Sequence, residues 1–203
     1  MKKKINKYHI FSFAIVGLCI FLSASVIITG MNDYQKLLKS QSALENYKNA
    51  PRNLLDPDVN PGSSAYAPMS KLVIPKIGVD VWIRSDTVNA YDSVYIYPES
   101  VPPGKNGDCG LLGHRTTYSG PFKKLGSLKV GDKVIIEDLL LSKKYVYQVT
   151  SNGNDIRWDY KTNPIKFAQD GEARLMLITC YPPGKKQAAY ITHCKLVSVS
   201  DLK

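Results

Sequence analysis

The sequence predicts an all-β domain carried behind an N-terminal transmembrane helix. Three observations lead there. From residue 71 onward, short β-prone runs alternate with breaks rich in Gly, Pro, Asn and Asp, and little reads as helix. Ahead of them, positions 10–31 hold 22 residues without a charge. Finally, two apolar runs in the β-rich part end in chemistry-bearing residues, Cys180 and His114.

The chain divides into four parts. Residues 1–9 form a tail with Lys2, Lys3, Lys4 and Lys7. Residues 10–31 are long enough to cross a bilayer as a helix, and the lysines before them place the N-terminus in the cytoplasm. A cleaved signal peptide is the alternative, because Ser23-Ala24-Ser25 resembles a small-residue cleavage site. Val26-Ile27-Ile28 continues the apolar run past that point, which suits an anchor better. Cys19 reads as packed against lipid or helix. Residues 32–69 form a stalk whose second half carries Pro51, Pro57, Pro61, Gly62 and Pro68, a composition that discourages regular structure. Residues 70–203 form the globular domain.

Within that domain the strands follow in order. The run 71–77 reads as a strand interrupted by Pro75, hence an edge strand. The run 79–83 is a second strand, and 91–97 reads as helix or strand. A strand at 109–114 follows the turn-rich Pro102-Pro103-Gly104-Lys105-Asn106-Gly107. The runs 133–137 and 144–149 form a hairpin around 138–142. Strands at 173–180 and 190–199 close the series. Seven or eight short strands imply a barrel or sandwich. The polar stretch 151–172 is the longest gap, and long loops often border binding sites.

Composition excludes several function classes. The formal charge is +10, but residues 68–203 carry 19 basic and 13 acidic side chains without a basic block. Such a surface suits anionic lipids or wall polymers. Nucleic acid is not expected as a partner, because no nucleic-acid motif is present and the domain is placed outside the cell. Four cysteines without CxxC spacing make no disulfide framework, although the sequence leaves a Cys109–Cys194 bridge open. No cofactor is expected: there is no phosphate-binding glycine loop and no metal-ligand cluster. Asp155, Asp159, Asp170 and Glu172 lie in the polar stretch and match no calcium loop, so they read as solvated acids.

The candidate site follows from two strand ends. Leu175-Met176-Leu177-Ile178-Thr179-Cys180 is followed by Tyr181-Pro182-Pro183-Gly184, which forces a turn and leaves a thiol at the rim of a sheet. Leu111-Leu112-Gly113-His114 repeats the design with an imidazole. His9 precedes the apolar segment, and His193 lies inside a strand-like run as a packed or surface residue. His114 is therefore the partner for a Cys180 nucleophile.

These residues resemble a known family, the sortases, which are membrane-anchored cysteine transpeptidases. Leu177-Ile178-Thr179-Cys180 resembles the family's strand ending in Thr-x-Thr-Cys. Gly113-His114-Arg115-Thr116-Thr117-Tyr118, with Gly120-Pro121-Phe122 and Leu128-Lys129-Val130-Gly131-Asp132, is similar to the histidine region of class E-like members. Leu72-Val73-Ile74-Pro75-Lys76-Ile77-Gly78-Val79 looks like the family's first strand. The resemblance spans roughly 71–199. It implies an eight-stranded β-barrel with the site at one rim, and a nucleophilic Cys180 served by His114. It also implies substrates that are secreted proteins with a C-terminal LPxTG-like sorting motif, and an amine of the cell envelope as acceptor.

One departure stands out. The family's arginine, about nine residues after the cysteine, falls on Ala189, and 181–203 contains no arginine. Lys185 and Lys186, in the turn after Cys180, are the first candidates to supply the missing cation. Arg115 adjoins His114, but neighbours on a strand point to opposite faces. Gln187 and Tyr190 can donate hydrogen bonds in place of the missing cation, and backbone amides are a further source; Thr179 either shapes the site or serves the strand through its β-propensity. A catalytically impaired module that binds sorting peptides is the alternative function. An L,D-transpeptidase fits less well, since those enzymes place their cysteine soon after a histidine and a glycine.

Overall fold

The computed structural model describes residues 70–202, together with positions 16, 17, 22, 23, 25–28, 30, 31, 34 and 35, which are helical. Among the described residues no helix is long and apolar enough to cross a membrane. The tail, most of the proposed anchor with Cys19, and nearly all of the stalk lie outside them.

Eight strands carry the fold: β1 Ser70–Ile74, β2 Val79–Arg84, β3 Ser93–Ile96, β4 Gly107–Leu112, β5 Lys133–Asp138, β6 Lys143–Arg157, β7 Ala173–Tyr181 and β8 Ala188–Asp201. They close into a barrel in the order β1-β2-β3-β4-β7-β8-β6-β5. Most neighbours are antiparallel, but β2 pairs with β3, and β4 with β7, in parallel. The eight-stranded barrel implied by the resemblance is the observed architecture.

Sequence alternation explains the walls. In β1 and β5, every second residue (Leu72, Ile74, Val134, Ile136) points inward and is fully buried. β7 is different because its run is apolar on both faces. Leu175 and Leu177 join the barrel core, while Met176 and Ile178 form a second, outer cluster with Ala189 and Ile191. Tyr160, Ile165 and Phe167, from the segment between β6 and β7, cover that outer cluster. A strand buried on both faces reads as a continuous apolar run, as this one does.

Several expectations are corrected. β1 is not an edge strand: it pairs with β2 on one side and β5 on the other. Pro75 does not interrupt it but begins a 3-10 turn, Pro75–Ile77, which ends on Gly78 at φ 69°. The polar gap is shorter than expected, because β6 runs on through Arg157. Register shifts between Val149 and Ser151 and between Asn152 and Asp155 let that polar stretch stay paired with β8. Asp155 therefore lies on a strand, bonded to Arg157 and His193.

Cys109 and Cys194 are buried free thiols. Each pairs with Leu175 from opposite sides, so one strand separates them. Strands spaced about 4.8 Å apart put their Cα atoms roughly 10 Å apart, beyond the reach of a disulfide of about 7 Å. Burial pushes the Cys194 thiol up to about 12 and raises that of Cys109 further.

Candidate active site

Parallel pairing of β4 with β7 builds the site. Leu112 faces Ile178 in register, and the Gly113 amide donates to the Ile178 carbonyl at 3.0 Å. Beyond these points the two chains end side by side, one in His114 and the other in Cys180. Cys180 follows Met176 and Ile178 by the period of two, so its side chain lies on the outer face of the sheet. It is half-buried at the end of the apolar outer cluster.

Side-chain bonds tie the two ends together. Thr179, on the inner face, donates from Oγ1 to the Gly113 carbonyl at 2.8 Å and is buried. Arg115 donates from Nη1 to the Cys180 carbonyl at 3.3 Å. Its guanidinium carbon lies 5.6 Å from the ring centre of Tyr181 and 5.1 Å from that of Tyr190. Arg115 thus reaches the Cys180 backbone from the side of the inner-face tyrosines, opposite to the face that carries the thiol. β4 ends at Leu112, so strand alternation does not govern position 115.

His114 is held on both ring nitrogens. Nε2 lies 3.2 Å from Asn89 Oδ1, and Nδ1 lies 2.9 Å from Thr117 Oγ1. The amide oxygen can only accept, so the neutral ring carries its proton on Nε2 and accepts from Thr117 at Nδ1. The ring packs on Tyr118 at 4.7 Å between centres. Burial lowers the pKa of His114 below the ordinary imidazole value, the charge of Lys186 lowers it further, and a backbone hydrogen bond at Val88 opposes both.

The other sequence candidates spread around this pair. Lys185 and Lys186 are exposed in the turn between β7 and β8. The Lys185 amide bonds to the Pro182 carbonyl at 2.9 Å, and the Lys186 carbonyl accepts from Tyr160 at 3.4 Å. Ala189 faces Cys180 across β7–β8 and Arg157 across β6–β8. Cys180, Ala189 and Arg157 thus form one row on the outer face, with almost no side chain in the middle. Arg157 turns along its own strand and donates from Nε and Nη2 to the Asp155 carboxylate at 3.0 and 3.1 Å. That bond holds Asp155 below the usual carboxylate range.

Next to this row is a cavity of about 380 Å³, walled by Tyr95, Tyr97, Tyr160, Ile165 and Phe167, with Glu99 also in its lining. Tyr97 is pushed up to about 12, by burial first and then by Glu99. Among the described residues no group of three or more His, Cys, Asp or Glu side chains is placed to hold a metal.

Sequence reasoning missed Asn89, Thr117 and Asn152. Asn152 donates to the carbonyls of Leu125 and Leu128 and accepts from Tyr190 and Thr192, between 2.6 and 3.1 Å. Thr117, three residues after His114, was within local reach. Asn89 lies 25 residues before it and gave no signal.

Cys180 and His114 thus stand at adjoining ends of the parallel neighbours β7 and β4 on a closed eight-stranded barrel. A profile of the Sortase domain matches residues 72–197, and the chain belongs to the sortase family. It is 31% identical over 148 residues to Sortase SrtE1 of Streptomyces coelicolor, covering 65% of this chain and 41% of that protein. It is 30% identical over 132 residues to Sortase D of Bacillus subtilis, covering 63% of each. The chain thus spans less than two thirds of the length of either relative. In fold it is similar to sortase C-1 of Actinomyces oris, with a TM-score of 0.56 and 23% identity over 82% of this chain and 99% of that one.

Proposed function

We propose that this chain is a cysteine transpeptidase of the cell envelope. The reading rests on one observation: Cys180 and His114 stand at adjoining ends of the parallel neighbours β7 and β4, tied by the Thr179–Gly113 hydrogen bond. In this reading a single N-terminal span holds the protein in the cell membrane, with residues 70–203 outside. The substrates are secreted proteins with an LPxTG-like motif near the C-terminus, and the acceptor is an amine of the envelope. The apolar outer face of β7 and the aromatic cavity beside it suit the side chains of an extended peptide.

The chemistry is a two-step acyl transfer. The Cys180 thiolate adds to the backbone carbonyl at the scissile bond, and the electron pair moves onto the carbonyl oxygen. Collapse expels the amine, which takes its proton from the His114 imidazolium and leaves a thioester. An incoming amine then attacks the thioester, His114 takes up its proton, and the thiolate departs. Burial and Lys186 work against the charged form of the His114 ring. Handing over the proton requires His114 to release Asn89 or Thr117.

The test is intact-mass spectrometry of the protein incubated with a library of LPxTG-like peptides. An adduct that hydroxylamine releases and Cys180→Ala abolishes supports the reading, and the peptide that forms it names the motif. Ala189 favours a second reading, a module that binds sorting peptides without turnover. Peptide binding with no adduct at any concentration selects that one.

A further inference from the structure

The Cys180 carbonyl accepts from an arginine whose own backbone adjoins the base. Arg115 directly follows His114, and its Nη1 reaches the Cys180 carbonyl at 3.3 Å. Its guanidinium packs on two rings, 5.6 Å from Tyr181 and 5.1 Å from Tyr190. Those rings flank the nucleophile in the fold: Tyr181 follows it in sequence, and Tyr190 follows Ala189, its cross-strand partner. Tyr190 is itself fixed, because its hydroxyl donates to Asn152 Oδ1 at 2.9 Å. Asn152 in turn donates to the Leu125 and Leu128 carbonyls at 3.1 and 2.8 Å. The Arg115 Nε is buried and has no hydrogen-bond partner among the described residues.

We propose that Arg115 is a positioning residue for the acyl transfer, clamping the strand end that bears Cys180 to the segment that bears His114. The proposal rests on the transpeptidase reading and adds to it a residue acting through the backbone of the nucleophile. Tyr181 and Tyr190 belong to the inner-face rows of β7 and β8, whereas the thiol lies on the outer face. Arg115 therefore holds the nucleophile from behind and leaves the outer face to the substrate. Two ties then set the separation of base and nucleophile: Arg115 to the Cys180 carbonyl and Thr179 to the Gly113 carbonyl. Of the other cations, Arg157 is turned onto Asp155, and Lys185 and Lys186 are exposed. Only a flat guanidinium can donate to a carbonyl and lie against aromatic faces at once, so lysine is a poor replacement.

The experiment compares the full chain with Arg115→Met and Arg115→Lys. A peptide identified by adduct formation is the substrate, and acylation burst amplitude counts active sites. Misplacement of reacting groups by about 1 Å costs on the order of 100-fold in rate. The expected result is a fall in kcat per titrated site of about ten- to a hundredfold in Arg115→Met, with KM within about threefold of wild type. Arg115→Lys recovers a small part of the loss. Hydrogen exchange read by mass spectrometry gives a second readout that needs no turnover. Amides at the end of β7 and in the segment after β4 exchange at least about tenfold faster in both variants, while those of β5 are unchanged. Should Arg115→Met fail to fold, Arg115→Lys carries both measurements. An unchanged exchange rate overturns the clamp, as does a kcat per titrated site within threefold of wild type. If the wild-type protein forms no acyl-enzyme at all, the transpeptidase reading falls, and the exchange result alone upholds or overturns the clamp.

Discussion

Removing the Thr179 hydroxyl tests how the two strand ends are held. Thr179→Val keeps the shape and β-branching of the side chain and deletes one donor. The deleted bond runs to the Gly113 carbonyl at 2.8 Å, at a residue only 1% exposed. Gly113 is also buried, so water does not readily replace the donor. Stranding a buried carbonyl costs about 1–3 kcal/mol. For a barrel of this size each kcal/mol lowers Tm by about 3–5 °C, so Thr179→Val melts about 3–15 °C below wild type. The carbonyl belongs to the peptide unit that leads into His114, so kcat also falls. Thermal unfolding followed by circular dichroism makes the measurement, with Thr179→Ser as the control. Serine keeps the donor and loses one methyl, which costs about 1 kcal/mol. The reasoning fails if Thr179→Val melts with wild type, or if Thr179→Ser is the less stable of the two.

Other perturbations separate electrostatics from packing. Lys186 disfavours the imidazolium of His114, so Lys186→Gln raises the pKa of His114 towards, but not up to, the ordinary imidazole value, because burial remains. An NMR titration of the His114 ring reads the shift, and a fall or no change refutes it. The same depression has a sign in stability. Folded His114 binds fewer protons than the unfolded chain, so its contribution to stability is constant above about pH 6.5 and is lost as the pH falls from there through the folded-state value. Urea melts of wild type and His114→Gln read this: the variant loses less stability just below pH 6.5. Gly113→Ala places a methyl group against the Phe122 ring, which lies beneath the site in the core. Overpacking there costs about 1–3 kcal/mol, and a variant as stable as wild type contradicts the close approach.

The legible parts of this molecule are those set by local pattern. The apolar run into Cys180 and the turn after it were readable, because β-propensity, period and turn residues act within a few positions. His114 was readable for the same reason, and because few histidines compete with it. The extension of β6 was not, since Ser151–Arg157 is polar and is held as strand only by pairing with β8 across two register shifts. Asn89 and Asn152 were invisible because their partners lie 24 to 40 residues away and are brought together by barrel closure.

Arg115 shows most clearly where sequence logic ends. Strand alternation puts it on the face opposite to His114, and the rule is sound for residues on strands. β4 stops at Leu112, however, and the turn that follows aims the guanidinium at the Cys180 carbonyl. The departure at Ala189 leads to the same point from the other side. A small residue opposite the nucleophile leaves that row without a cation on β8, and the next side chain in the row, Arg157, is committed to Asp155. The arginine engaged with the nucleophile's strand thus comes from the histidine segment. A chain that carries base and clamp on consecutive residues couples them: any movement of the β4 end that displaces His114 also pulls on the backbone of Cys180.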